Sequence, residues 1–376
     1  MKKVDFVFFD AGGGHRSAAT ALKAVVEEQG RPWEVRLVNL QEVLDSLDVF
    51  RKVTGIRMED VYNNLLARGW TLGSEYLVPP MHGLIRLYHP AQRRLLTQYW
   101  KVDPPDLVVS LIPNFGRALY QGLKAADANI PLATILTDLA DYPPHFWMER
   151  DQDQHLICGT ERAVQQARDL GYPAEKIHGT SGMILRPRFY EPVHVDRLAE
   201  RRKLGLQENL PTALVLFGGQ GSSVMLDIAK RMSQFDAGAQ LIFICGKNGK
   251  LAARLRQVQS SIPFHIVEFT QEVPYFMHLS DFMIGKPGPG SISEALAMKL
   301  PVILERNAWT LPQERFNTDW VLEKGVGLVL KNFTEIESAV QRLLSPDVFA
   351  KLKANVDAIE NRAVFEIPDI LEGIMK

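Results

Sequence analysis

A chain of 376 residues is longer than one hydrophobic core usually organises, so two domains of roughly 150–190 residues are expected. An apolar fraction of 46% beside 23% charged residues excludes a disordered chain, and a net charge of −1 excludes a whole-molecule field that would draw nucleic acid. No uninterrupted apolar run reaches the ~18–20 residues of a membrane span, so membrane contact is expected to be peripheral.

The elements follow in chain order. Lys2 and Lys3 precede an apolar run that Asp5 interrupts and that Asp10 and three glycines end; it reads as a first strand over 4–9, not as a secretory leader. A helix is expected over 17–28, with Ala18, Leu22, Val25 and Val26 on one side, and a second strand over 35–40. Residues 51–101 lack strand signals and read as helical. They carry eight basic residues against three acidic ones, with six interleaved Tyr and Trp residues. That composition suits either a solvated helical subdomain or a surface that docks on anionic lipid. Runs at 107–111 and 132–136 are near-continuously apolar, as parallel strands buried on both faces require. A proline-containing, charged stretch over 183–210 suits a link between domains, with the boundary near Pro187. Strands then resume at 212–217, 241–245, 264–268, 282–284 and 301–304. The fold class is therefore α/β, with doubly wound sheets. Cys158 and Cys245 each follow a strand-like run and fit buried thiols of a reducing cytosol; two cysteines make neither a disulfide framework nor a Cys-based metal site.

Three strand-end loops carry the chemistry. In Gly285-Lys286-Pro287-Gly288-Pro289-Gly290-Ser291-Ile292-Ser293-Glu294, the glycines let backbone N–H groups approach a diphosphate, and Ser291 is expected to open a helix whose dipole favours negative charge. Glu294 then either closes a capping box or turns outward to the hydroxyls of a ribose. Phe217-Gly218-Gly219-Gln220-Gly221-Ser222-Ser223 follows one apolar strand, and Leu311-Pro312-Gln313-Glu314-Arg315-Phe316-Asn317 follows another. Gln313, Glu314 and Asn317 are polar groups able to bind sugar hydroxyls. Open α/β sheets bind ligands at such strand ends. A fourth loop, Asp10-Ala11-Gly12-Gly13-Gly14-His15-Arg16-Ser17, ends the first strand. His15 there titrates near neutrality and is the leading general base. Asp138, at the end of the strand over 132–136, either orients His15, serves as base itself or merely forms a turn.

Taken in chain order, the four loops resemble the inverting GT-B glycosyltransferases: two Rossmann-like domains facing a central cleft. More narrowly they resemble the monogalactosyldiacylglycerol synthases and processive diacylglycerol glucosyltransferases, and more distantly the peptidoglycan GlcNAc transferase that forms lipid II. The resemblance runs from Asp10 to about Phe365. It implies an acceptor domain over 1–187 with a membrane-facing helical insertion over about 51–101, a UDP-sugar domain over 188–360, and a helix over 361–376 that returns to the first domain. It implies catalysis by His15 and Asp138 and acceptor contacts at Gly13, Gly14, Arg16, His145 and Trp147. Trp147 is either core or a lipid-facing ring. Donor contacts are implied at Gly218, Gly219, Gly221, Ser222, Phe269, Val273, Gly288, Pro289, Gly290, Ser291, Glu294, Gln313, Glu314 and Asn317.

The expected activity moves a hexose from UDP-galactose or UDP-glucose to diacylglycerol or a related lipid, in a cytoplasmic protein peripheral to the inner face of the cell membrane. Neither cofactor nor metal is expected, because amides and helix dipoles of the glycine loops can hold a diphosphate. The chain departs from the family pattern at Pro143-Pro144-His145, where the histidine is shifted, and at Leu311-Pro312, where Pro-Gly is usual. Three rivals remain. A UDP-GlcNAc transferase would act on a polyprenyl-linked or soluble acceptor, and a noncatalytic nucleotide-sugar sensor would need no base. A dinucleotide-binding oxidoreductase is disfavoured because neither glycine loop has the Gly-x-Gly-x-x-Gly spacing.

Overall fold

Short runs of aliphatic residues become strands here because each can be buried on both sheet faces. The computed structural model describes residues 1–10, 13–45, 74–234 and 238–376, with 74–86 described as backbone only. They divide into two units: the first runs to Pro187 and takes back Asn361–Lys376, and the second is Arg188–Glu360.

In the first unit, β1 (Lys2–Phe8), β2 (Trp33–Asn39), β3 (Leu107–Ser110), β4 (Leu132–Ile135), β5 (His155–Cys158) and β6 (Ile177–Gly179) form one parallel sheet ordered β2-β1-β3-β4-β5-β6. Its helices are α1 (Gly14–Glu28), α2 (Leu40–Leu44), α3 (Ser74–Val102), α4 (Gly116–Ala126) and α5 (Glu161–Asp169). The second unit repeats the plan with α6 (Arg197–Lys203), β7 (Thr212–Leu216), α7 (Val224–Ser233), β8 (Gln240–Ile244), α8 (Gly249–Arg256), β9 (Phe264–Val267), α9 (Val273–His278) and β10 (Phe282–Gly285). It continues through α10 (Pro289–Ala297), β11 (Val302–Glu305), α11 (Pro312–Lys324), β12 (Gly327–Leu330), α12 (Ile336–Leu344) and α13 (Pro346–Asp357). Its strand order is β12-β11-β10-β7-β8-β9, again all parallel. The last helix, α14 (Ala363–Ile374), packs on α1 of the first unit, where Arg31 bonds to Asp369 and Glu372.

Two expectations change. Helix α1 begins at Gly14 rather than at Ser17, because Gly13 at φ +80° turns the chain directly into it. The expected insertion falls partly outside the described residues, and the end of α3 that is described belongs to the core. Leu96 and Trp100 are buried there. The α4 backbone comes so close that a Cβ on Gly122 would lie 2.7 Å from Leu96 Cβ. Trp100 Nε1 donates to buried Asp5 at 3.0 Å, and Arg36 Nε donates to the same carboxylate at 2.5 Å. Trp100 is therefore not a membrane-facing ring. Both cysteines are buried, and burial pushes their thiols up to about 12 at Cys158 and about 11 at Cys245, so they are inert.

Each sheet reverses its direction of growth once: between β1 and β3 in the first unit and between β7 and β10 in the second. The loops leaving such a pair diverge to opposite sides and open a crevice at the strands' carboxyl ends. In the second unit the loop after β7 also lies back to back with the loop after β8. Lys247 N donates to Gly219 O at 2.9 Å. A Cβ on Gly246, at φ +60°, would stand 2.3 Å from that same oxygen.

Gly246→Ala should therefore combine left-handed strain with a backbone collision and lower stability by at least about 1–2 kcal/mol. Urea unfolding measures it; an unchanged midpoint would show that the two loops are not in register.

Candidate active site

The second unit brings its glycine loops together at the β7/β10 switch point. Gly221 N donates to Gly218 O at 3.1 Å, closing a turn that needs positive φ at both glycines, +78° and +64°. The Ser222 hydroxyl accepts from Val224 N at 3.3 Å and so serves the start of α7. Past β10, α10 starts at Pro289 with Gly288 as its N-cap, and proline at the first helical position costs no hydrogen bond. Ser291 is consequently the third residue of the helix, and Glu294 lies in its second turn. The expected capping box cannot form, and Glu294 is half-buried on the helix flank. Gly290 is exposed, and a Cβ there would meet nothing within 4 Å. The first turn is thus open on the side where that Cβ would stand.

Lys286, which was not among the expected site residues, occupies the middle of this arrangement. Its Nζ lies 3.1 Å from Glu314 Oε1, and its Cε lies 3.8 Å from the Cβ position of Gly218 and 3.5 Å from that of Gly288. Its signal in the sequence was a lone cation inside a glycine loop. The α11 polar cluster is placed differently from expectation. Asn317 is fully buried and donates from Nδ2 to Pro287 O at 2.8 Å, which braces the loop, while its buried Oδ1 has no hydrogen-bond partner among the described residues. Glu314 is buried against Lys286, and Gln313 is the half-buried residue beside it in the first turn. Phe269 is 56% exposed, with Lys247 Nζ 5.9 Å from its ring centroid, which makes it a platform and not core. Val273, the first residue of α9, is buried.

The first unit builds a second cluster at its own strand ends. Ala11 and Gly12 lie outside the described residues. Gly13 and Gly14 open α1, and His15 in its first turn places Nδ1 3.1 Å from Thr137 Oγ1. Burial pulls the imidazole down to about 4, against a hydrogen bond with the Leu111 backbone that works the other way. His15 is therefore neutral at pH 7 and able to accept a proton. Thr137 meets Nδ1, and Asp138 Oδ2 accepts the Trp147 indole N–H at 2.8 Å. Trp147 is buried in the core beneath β4 and β5 with its ring 6.0 Å from His15, which excludes the lipid-facing alternative. His145 is exposed at φ +65°, and the buried Asp141 carboxylate accepts the backbone N–H groups of His145 and Trp147. Arg16 pairs with Asp10 at 2.7 Å and lies over Phe8.

An Asp-x-Asp spacing, Asp151-Gln152-Asp153, was also passed over. It precedes β5, at the amino edge of the sheet opposite these loops, and Asp153 pairs with Lys176 at 2.9 Å. Among the described residues no three His, Cys, Asp or Glu side chains are grouped to hold a metal ion, and no helix is long and apolar enough to cross a membrane.

Residues 212–345 match the glycosyltransferase family 28 C-terminal domain. The chain is 27% identical to monogalactosyldiacylglycerol synthase 1 of Arabidopsis thaliana over 92% of its own length and 65% of that protein's. It is 25% identical to the processive diacylglycerol beta-glucosyltransferase of Bacillus cereus, covering 90% of this chain and 84% of that one. In fold it is similar to Staphylococcus aureus MnaA solved with UDP, with a TM-score of 0.63 at 17% identity over 100% of this chain and 97% of that one. Two parallel six-stranded units give this chain the GT-B fold, and in sequence it is similar along nearly its whole length to a monogalactosyldiacylglycerol synthase and to a bacterial diacylglycerol glucosyltransferase.

Proposed function

We propose that the protein transfers a hexose, with inversion, from UDP-galactose or UDP-glucose to the free hydroxyl of diacylglycerol or a related lipid. The observation that carries this reading is the open first turn of α10 beside the Gly218 loop and Lys286, a place built for a diphosphate, in a chain whose plant and bacterial relatives both bear the names of diacylglycerol glycosyltransferases. In this reading the second unit binds the donor, with Phe269 under the base and the Gly218 and Gly288 loops around the diphosphate. The first unit binds the acceptor, and neutral His15 takes the acceptor proton. Asp138, through Trp147, shapes the wall beside it.

The protein works in the cytoplasm as a peripheral protein on the inner face of the membrane. Exposed Arg93, Arg94 and Leu87 on α3 contribute to the docking surface.

The test is an assay with labelled UDP-galactose, UDP-glucose and UDP-GlcNAc, and vesicles that hold diacylglycerol in neutral or anionic lipid. Label should enter the lipid phase from a UDP-hexose, faster on anionic vesicles, and should persist in excess EDTA. Label confined to a polyprenyl or soluble acceptor would replace this reading.

Gly290→Ala should leave folding intact or slightly firmer, since alanine is the better helix former, yet lower UDP affinity by about tenfold by filling the space over the first-turn amides. Calorimetry beside a thermal melt separates the two effects, and unchanged affinity would remove α10 from the donor site.

His15→Ala should lower kcat by about 10²–10⁴ with UDP affinity preserved. The depressed pKa has a second consequence. The unfolded chain protonates this imidazole near pH 6.5 and the folded chain only near 4, so its contribution to stability is whole above pH 6.5 and is lost as pH falls towards 4. NMR titration of His15 should give a midpoint near 4; a midpoint near 6.5 would mean the ring is solvated.

A further inference from the structure

We infer that Lys286 is the cation that stabilises the departing UDP, and that Glu314 is the positioning residue that holds it rather than a contact for the sugar. The inference rests on the donor assignment above. The lysine stem crosses the gap between the two strands that flank the switch point, within van der Waals reach of the Cβ positions of both Gly218 and Gly288. Its ammonium has three donors. One is directed to Glu314 Oε1 at 3.1 Å, and the Lys286 side chain remains 38% exposed, so donors are left for a ligand over the loops. Glu314 is only 11% exposed and sits in the first turn of α11, where the helix dipole favours a carboxylate. A carboxylate so placed answers the lysine. Left alone beside a diphosphate it would repel it.

The charge balance gives this pair its task. The acceptor oxygen forms a bond to the anomeric carbon while the bond from that carbon to the β-phosphate oxygen breaks. The electron pair stays on the phosphate, and the acceptor proton passes to His15. Negative charge therefore grows on the β-phosphate, and a fixed ammonium beside that oxygen stabilises the transition state more than the ground state.

The experiment compares UDP, UMP and UDP-hexose binding by calorimetry, together with kcat, in wild type, Lys286→Met, Lys286→Arg, Glu314→Gln and the double variant Lys286→Met/Glu314→Gln. The double variant avoids a buried unpaired carboxylate, and a thermal melt confirms folding. Loss of Lys286 should weaken UDP by about 10–100-fold and spare UMP, which lacks the β-phosphate, while kcat falls by about 10²–10³. Lys286→Arg should restore part of both. Glu314→Gln should weaken UDP and UDP-hexose by the same smaller factor.

Parallel losses of UDP and UMP, or unchanged UDP affinity, would overturn the role of Lys286. Weakening of UDP-hexose alone in Glu314→Gln would return Glu314 to the sugar and overturn its positioning role. A wild-type protein that binds neither nucleotide overturns the donor assignment itself, a result distinct from mutants that fail where wild type binds.

Discussion

A parallel strand cannot join its neighbour by a tight turn; the chain must cross back over a sheet face, usually as a helix, before the next strand begins. Both units obey this constraint throughout, and it places every strand-to-helix loop at the carboxyl edge of its sheet. Reversal of strand order then parts two of those loops, and the gap receives the start of a helix. The Gly218 and Gly288 loops flank one such gap and the His15 loop another. Glycines let the loops of the second unit pack against each other, as Gly246 does against Gly219.

The two sites solve opposite electrostatic problems with the same scaffold. In the second unit Lys286 stays partly solvated and pairs with the buried carboxylate of Glu314. In the first unit burial holds the His15 imidazole neutral, with the Thr137 hydroxyl against its Nδ1. Asp138, next in the chain to Thr137, accepts the Trp147 indole N–H.

Helix α3 shows why a basic composition is a poor guide to a surface. Its later turns place Leu96 and Trp100 into the core of the first unit and Arg93 and Arg94 into solvent, so one stretch serves both as a structural layer and as a charged face. Aromatic residues counted together in the sequence separate once the helix has a partner, because Trp100 finds a buried carboxylate for its N–H.

The alternation of apolar runs with helical stretches was legible in the sequence because it depends only on local pattern, and most strands stand where such runs occur. The two edge strands β6 and β12 escaped notice, being three and four residues long and each containing a glycine. The glycine loops were legible for the same local reason. What the sequence could not reveal was pairing across distance. Thr137 meets His15 across 122 residues, and Lys286 meets Glu314 across 28. Asn317 turned inward, and Trp147 left the surface to hold Asp138. Residue type and local spacing settle which groups stand at a strand end; the packing of one strand end on the next decides which of them face a ligand and which are spent on holding the others in place.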